Sequence, residues 1–485
     1  MSFLEDTIVA PITPPGRGGV SIVRLSGPGT VEILSCLAER AQNAISNPRH
    51  LVYTTIFDYS PQQLGVESSQ GGAPNALDQG LVVFFRAGAS FTGEDAAELH
   101  LHGSPYLVDR LIESAVQLGG RIAEPGEFSK RAYLNGQLDL SQAEAVADLV
   151  NAETAAQARA AREQLSGKLS RAIERVGEPL RDLVAEVEAF IDFPEEEIEL
   201  QSLARWREII SSVEGQLGEY LASFRGGRLE REGAEVAIVG LPNAGKSSLL
   251  NRLVGMERAI VSPLAGTTRD TIEERISLSG VCVRLWDTAG IVVLGRAENR
   301  TENRTVDSIE ELGIERSWQR IAAADLVLFV FDGAVPIAEQ QTLYFEVKAR
   351  AAESLVLCNK SDQESERSLR EAELTQLGIE ALYLSALTGA GLAEFRTRLR
   401  VKILGDSVAE KRASVVITTR RHFDALLRAN VALAAGKAGL AEEALPPELV
   451  AAHLREALTE LDDIVGVTHT EDILGRIFSR FCIGK

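Results

Sequence analysis

Gly240-Leu241-Pro242-Asn243-Ala244-Gly245-Lys246-Ser247 decides the fold of the centre of this chain. It has the spacing GxxxxGK[ST], follows the apolar run Glu235-Val236-Ala237-Ile238-Val239, and leads through Ser248 into a helical pattern. Strand, glycine-rich loop and helix in that order form a phosphate-binding turn. Backbone N–H groups of the loop converge on one point, and the helix N-terminus adds partial positive charge there. Lys246 is placed to reach β and γ phosphates, and Ser247 to ligate Mg²⁺. The plainer reading is a strand-to-helix turn with no ligand, and the downstream sequence discriminates between the two.

Three pieces follow in order. Asp287-Thr288-Ala289-Gly290 ends the strand pattern Val281 to Trp286. Its Asp can hold Mg²⁺ through water, and Gly290 can offer its N–H to a γ-phosphate. Asn359-Lys360-Ser361-Asp362 ends the strand pattern Leu355 to Cys358. A carboxylate there accepts from guanine N1–H and N2–H₂, donors that adenine lacks, so an ATP-using enzyme is disfavoured. Ser385-Ala386-Leu387 is placed to give a backbone N–H to guanine O6. Between the phosphate loop and DTAG lies Gly266-Thr267-Thr268-Arg269-Asp270, whose Thr268 hydroxyl can close the Mg²⁺ shell. The order resembles the translation-factor-related GTPases. Ile291 stands where many GTPases have a water-orienting Gln, and it cannot hydrogen-bond. Glu310, in Ile309-Glu310-Glu311-Leu312-Gly313, is one of several acids that can take over that task.

Working outward, strand patterns at Leu326 to Phe331 and Leu382 to Leu384 complete a parallel-sheet domain over 229–404. Residues 1–135 read as a small α/β domain, with strands at Val20 to Leu25 and Leu81 to Phe85 and a helix at Leu107 to Leu118. Pro14 to Gly19 is a turn cluster, and Pro61 to Asn75 a loop. Residues 136–228 are helical, with apolar positions Leu180, Leu183, Val184, Val187, Phe190 and Ile191 on one face, and Ile210, Val213, Leu217, Leu221 and Phe224 on another. Asp192-Phe193-Pro194 reads as a helix break, and Arg225-Gly226-Gly227-Arg228 as a linker. Helical character returns over 405–485, where Val450, Leu454, Ala457, Leu458, Leu461, Ile464 and Val465 share a face. The expected class is α+β multidomain: an α/β N-terminal domain and one discontinuous helical domain, with the α/β nucleotide domain inserted in it. The tandem Glu298-Asn299-Arg300-Thr301 and Glu302-Asn303-Arg304-Thr305 reads as a polar loop.

Composition sets the outer limits. The chain has 485 residues, 50 Lys+Arg against 70 Asp+Glu, and a formal charge of −20. That excludes a bulk-basic nucleic-acid coat, because neutralising phosphate takes Lys and Arg. Mean hydropathy is +0.01. No apolar run approaches the ~18 residues of a membrane span, and Met1 to Ala10 lacks the blocks of a signal peptide. The four cysteines, Cys36, Cys282, Cys358 and Cys482, form no CxxC pair. A cytoplasmic protein without disulfides or a zinc finger is expected. Cys282 and Cys358 lie in strand patterns and read as core. Cys482, beside the terminal Lys485, leaves two readings open: a thiolate nucleophile toward uracil C6, or a packed tail residue. His100 and His102 alternate on one strand face, as a packed pair or a ligand pair would.

At full length the chain resembles the tRNA-modification GTPases of the MnmE, or TrmE, type. The residues that carry this are Asp6-Thr7-Ile8-Val9-Ala10 with Pro14-Pro15-Gly16-Arg17-Gly18-Gly19, Pro125-Gly126-Glu127-Phe128, and Leu138-Asp139-Leu140 with Gln142-Ala143-Glu144-Ala145. They continue through Asn243-Ala244-Gly245-Lys246-Ser247-Ser248 and Gly266 to Asp270, and end at Cys482-Ile483-Gly484-Lys485. The resemblance implies an N-terminal folate-binding and dimerisation domain, a homodimer, and an FAD-binding partner of the MnmG, or GidA, type. It implies addition of an aminomethyl-type group at C5 of a tRNA wobble uridine, with 5-formyltetrahydrofolate or a related tetrahydrofolate supplying the one-carbon unit. It also implies K⁺ held by Asn243 and the loop Ser262-Pro263-Leu264-Ala265-Gly266-Thr267, with Ser262, Leu264 and Thr267 completing the site. Thr268 joins Ser247 on Mg²⁺, and Glu310, before Gly313-Ile314-Glu315-Arg316, takes the catalytic place. Arg24, Glu98, Gln137 and Lys485 align with the folate contacts; Gln137 stands where some members have Lys. A rival reading is a regulatory GTPase of the ribosome-assembly type, without modification chemistry.

Overall fold

The computed structural model describes residues 5–59, 75–192, 200–256, 258–259, 273–278, 281–287, 308–404, 415–440, 446–467, 471–479, 481 and 484. The contacts divide the chain into two units. One comprises Met1–Asn151, Ala161–Gln216 and Asp424–Lys485; the other comprises Ala152–Ala160 and Leu217–Phe423.

The first unit contains a six-stranded sheet of β1 (Thr7–Pro11), β2 (Gly18–Ser26), β3 (Val52–Asp58), β4 (Asn75–Phe85), β5 (Ala96–Gly103) and β6 (Gly120–Ile122). Their order is β3-β4-β5-β2-β1-β6. All neighbours are antiparallel except β1 and β6. Along β2 the side chains alternate: Ser21, Val23 and Leu25 are buried, whereas Ile22 and Arg24 are half-exposed. Val23 and Leu25 join Leu34, Leu99, Leu101 and Leu111 in a core beneath helices Thr30–Leu37 and Pro105–Gln117. Arg24 therefore projects from the opposite face, paired in register with Glu98 of β5.

The same unit carries the helices. Leu169, Ile173, Val176, Leu180, Leu183 and Val187 make the buried stripe of helix Lys168–Asp192, and that helix packs on Pro447–Val465. The motif Leu138 to Ala145 has a structural explanation. Asp139 Oδ1 accepts from the Gln142 N–H at 2.9 Å and Gln142 Oε1 from the Asp139 N–H at 3.0 Å, a reciprocal cap that starts helix Leu140–Val150. Leu140 and Ala143 then pack with Leu474, Phe478 and Phe481, which brings the end of the chain onto its N-terminal third. Gly126 sits there at φ +72°, and a Cβ on it would overlap Phe478 and Phe481. Gly484, at φ +92°, lies against the Pro11 carbonyl.

The second unit holds a seven-stranded sheet: β7 (Ala234–Val239), β8 (Arg258–Ala259), β9 (Glu273–Leu278), β10 (Val281–Asp287), β11 (Leu326–Asp332), β12 (Ser354–Asn359) and β13 (Leu382–Tyr383). The order is β13-β12-β11-β7-β10-β9-β8. It is not wholly parallel, as the βα pattern suggests. β9 runs antiparallel to β10, and β8 to β9, because a short hairpin reverses the edge. Apolar runs such as Leu326 to Phe331 are buried on both faces, as a central strand requires.

The expected linker at Arg225 to Arg228 is also corrected: helix Leu200–Glu232 runs straight through it. Glycine there serves close approach, since a Cβ on Gly227 would overlap the Ile417 carbonyl oxygen, whereas Gly226 faces open space. Adjacent glycines in one helix should therefore respond oppositely to alanine. Gly226→Ala is expected to stabilise by about 0.5–1 kcal/mol through helix propensity. Gly227→Ala is expected to destabilise by about 1–3 kcal/mol through overpacking, read from urea unfolding of the two variants.

Candidate functional site

The phosphate loop leaves β7 at Gly240 and enters helix Lys246–Met256. Asn243 has φ +65° and Gly245 φ +90°, so the backbone passes through left-handed conformations that Gly adopts freely and Asn more readily than most residues. The Lys246 ammonium donates to the carbonyls of Gly240 at 3.0 Å and Leu241 at 2.9 Å, which holds it within the turn. Ala244 is buried, whereas Asn243, Ser247 and Ser248 are exposed at the loop and the first helical turn. Gly245 has no room for a side chain, because a Cβ would overlap the Asn359 amide.

Asn359, 2% exposed, is the joint of the site. Its Nδ2 donates to the Ala244 carbonyl at 2.8 Å, and its Oδ1 accepts from the Ala386 N–H at 2.9 Å. The phosphate loop, the end of β12 and the Ser385-Ala386-Leu387 turn are thus one hydrogen-bonded body. The Ser361 N–H donates to the Leu384 carbonyl at 3.1 Å, a second tie between the last two. Ser385 is buried and its hydroxyl accepts from the Thr388 N–H at 3.1 Å. Asp362 and Leu387 are exposed beside it. Lys360, at φ +63°, extends its ammonium to Asp332 Oδ2 at 2.7 Å. Asp332 escaped the reading of the sequence; the signal for it was an acid closing the apolar run Leu326 to Phe331 immediately before Gly333.

Asp287 is the last residue of β10, and Glu310 lies in helix Ser308–Ala323. The side chains of both lie outside the described residues, as do Ser262 to Thr268, Thr288 to Gly290 and Ile291.

The second set of predicted residues lies on the outer face of the first sheet. Arg24 Nε and Nη2 both donate to Glu98 Oε1, at 3.0 and 2.6 Å. The guanidinium lies 5.5 Å from the Phe91 ring centre and 5.6 Å from that of Phe128. His100 Nε2 stands 3.6 Å from Glu98 Oε2. Gln137 is exposed and packs against Gly93, two residues from Phe91. Beneath this group a buried network joins Arg131, 1% exposed, to Asp6, Glu94 and Glu127. Arg121 pairs with Asp6 and Glu127 as well. His102 Nδ1 is held by Asp78 at 2.8 Å. Cys482 and Lys485 lie outside the described residues. Cys282 and Cys358 are core residues as expected. Burial pushes their thiols up to about 11 and about 12, with Glu153 adding to the shift at Cys282.

The profile of the MnmE helical domain matches residues 140–482, and that of the GTP-binding protein TrmE N-terminus matches residues 7–137. The tRNA modification GTPase MnmE of Aquifex aeolicus is 39% identical over 483 residues, spanning 99% of this chain and 100% of the relative. The chain belongs to the MnmE family. A second relative of that name, from Laribacter hongkongensis, is 40% identical over 488 residues and the full length of both chains. Among solved structures, the G domain of the T. maritima FeoB iron transporter is 28% identical over 35% of this chain and 96% of that chain, with a TM-score of 0.25. The fold class of an MnmE chain accounts for both units: the TrmE-type N-terminal domain, the discontinuous helical domain and the inserted P-loop domain.

Two expectations follow from the geometry. Asn359→Ala removes both arms of the joint and leaves a buried carbonyl and N–H without partners, at about 1–3 kcal/mol each. It should lower the melting temperature and abolish measurable GDP binding in the same variant by calorimetry. The other expectation concerns acid. Burial alone raises Asp6, Glu98 and Glu127, but it is outweighed at Asp6 by Arg121 and Arg131, at Glu98 by His100 and Arg24, and at Glu127 by Arg121, the Glu124 N–H and Arg131. All three titrate below the usual carboxylate range. Their contribution is complete above the unfolded pKa of about 4 and is lost as pH falls through the lower folded values. Glu127→Gln should therefore lower the melting temperature at pH 7 and flatten its decline below pH ~4.

Proposed function

We propose that this chain hydrolyses GTP as a switch within tRNA wobble-uridine modification, adding an aminomethyl-type group at C5 with a tetrahydrofolate one-carbon donor and an FAD-binding partner protein. The observation that carries the GTP reading is the Asn359 joint: it builds the phosphate loop and the base-facing segments Asn359 to Asp362 and Ser385 to Leu387 into one body. Full-length similarity to relatives named tRNA modification GTPase MnmE supports the assignment to tRNA. The functional domains are 1–135 for folate binding and dimerisation, 136–228 with 405–485 for the helical body, and 229–404 for the nucleotide. The protein acts as a cytoplasmic homodimer. No helix among the described residues is long and apolar enough to cross a membrane.

Each residue then has a defined task. The loop N–H groups from Asn243 to Ser248 bind the phosphates, and Lys246 neutralises them from its place at the Gly240 and Leu241 carbonyls. Ser247 and Thr268 hold Mg²⁺, which supplies charge neutralisation at the β and γ phosphates. Asp287 supports that ion through water, and Gly290 bonds the γ-phosphate. Asp362 accepts from guanine N1–H and N2–H₂, and the Ala386 region bonds O6. Glu310 orients the attacking water in place of the Gln that Ile291 replaces. Asn243, exposed on the loop, holds K⁺ with the Ser262 to Thr267 loop, giving the counter-charge that an arginine finger gives elsewhere. Arg24, Glu98, Gln137 and Lys485 contact folate. The aromatic rings that flank Arg24 suit a flat ligand, although Glu98 already occupies two Arg24 donors. Cys482 is proposed as the thiolate that attacks uracil C6.

Base recognition is tested by Asp362→Asn. The variant should prefer xanthosine over guanosine triphosphate, with GTP affinity reduced roughly ten- to a hundredfold. Unchanged GTP selectivity would remove Asp362 from the site. The cation is tested by turnover in potassium and sodium at equal ionic strength. Potassium should stimulate the wild type strongly and Asn243→Ala weakly, and equal wild-type rates in both salts would exclude a potassium site.

A further inference from the structure

The pair formed by Asp332 and Lys360 is left unexplained by the phosphate contacts and by recognition of the base edge. Asp332 closes β11 and is 4% exposed, so its carboxylate is almost wholly out of water. Oδ2 accepts from Lys360 Nζ at 2.7 Å, and Oδ1 from the Ala334 N–H at 2.9 Å. Gln340, 1% exposed, fixes the strand end from the other side. Its Oε1 accepts from the Asp332 N–H at 2.8 Å, and its Nε2 donates to the Asp332 and Val335 carbonyls at 3.0 Å. The carboxylate is therefore fixed in place and cannot follow a moving partner.

Lys360 is constrained as firmly. Its backbone is left-handed at φ +63°. Its neighbours are tied on both sides: the Asn359 carbonyl accepts from the Gly333 N–H at 3.0 Å, and the Ser361 N–H donates to Leu384 at 3.1 Å. A lysine side chain 32% exposed would ordinarily carry its ammonium into water and sample many rotamers. Here it is turned back to a buried anion. Burying a carboxylate is costly, and such pairs give geometry more reliably than stability.

We propose that Asp332 is a positioning residue for guanine-nucleotide recognition. By anchoring the Lys360 ammonium it fixes the four-carbon stem as an apolar wall of the base slot bounded by Asn359 to Asp362 and Ser385 to Leu387. This rests on the guanine reading above. A stem recognises the face of a purine and not its edge, so Asp332 governs how firmly the base is held, while Asp362 governs which base is held. Preorganising that wall removes an ordering cost from binding.

The test follows dissociation of fluorescent GDP and of the matching inosine diphosphate by stopped flow. It compares wild type, Asp332→Asn, Lys360→Met and the double variant, with melting temperatures measured alongside. Asp332→Asn should release both nucleotides about tenfold faster, with the ratio between them unchanged. Lys360→Met should do the same, and the double variant should release no faster than either single one, because both remove one interaction. Lys360→Met leaves the buried carboxylate unpaired, so its melting temperature should fall and recover when Asp332→Asn is added. Release from Asp332→Asn within about twofold of wild type would overturn the proposal. A full further loss in the Lys360→Met background would overturn it too, by placing the effect in the Ala334 turn. If Asp332→Asn does not fold, Lys360→Met decides alone, and unchanged release there is the overturning result. Wild type that binds GDP no better than ADP would instead overturn the guanine reading, a separate outcome.

Discussion

The nucleotide-binding unit depends on one side chain. The Asn359 amide spans the Ala244 carbonyl and the Ala386 N–H, and it is almost completely buried. A primary amide suits this, because it offers a donor and an acceptor on adjacent atoms at one short reach. The consequences extend in both directions. Gly245 must be glycine, since the amide occupies the space of its Cβ. The turn carrying Ser385 to Leu387 is fixed against a loop more than a hundred residues away in sequence. On the proposed reading, phosphate and base contacts would share one rigid frame, so that affinity for one part of a nucleotide is not spent on ordering the other.

The first unit relies on a different device. Arg131 is buried and held by Asp6, Glu94 and Glu127, so removing Arg131 itself would leave the buried Glu127 with only Arg121 as counter-charge. Glu127 and Phe128 belong to Pro125-Gly126-Glu127-Phe128, whose Gly126 also admits the Phe478 and Phe481 segment. One short motif therefore joins the ion network, the aromatic flank of Arg24 and the seat of the C-terminal tail. Arg24, Arg110, Arg181 and Arg455 of this unit are likewise held by carboxylates.

Much of this was legible in the sequence because it is local. The phosphate loop is a run of eight residues whose spacing is set by backbone geometry. Strands such as Leu326 to Phe331, and the stripe Val450 to Ile464, are set by periodicity, and each lies where its pattern placed it. The misreadings share a cause. Gly226-Gly227 looks like a linker because glycine is the usual breaker, but Gly227 is glycine because Ile417 passes over it. The antiparallel edge of the second sheet is not legible in sequence because β9, Glu273–Leu278, carries only two apolar residues, Ile276 and Leu278, and β8 has only two residues in all.

The sequence alone determined the phosphate-loop segment, the central strands, the main helical stripes and the family, because each is written in contiguous residues whose spacing and periodicity are set by the backbone. It could not determine partners across the chain. That Asn359 would hold Ala244, that Asp332 would capture Lys360, that Glu98 would occupy Arg24, and that Gly484 would lie against Pro11 are decisions of tertiary structure. Each depends on where two distant backbones approach within a few ångströms, and nothing in the spacing of residues along one segment carries that distance.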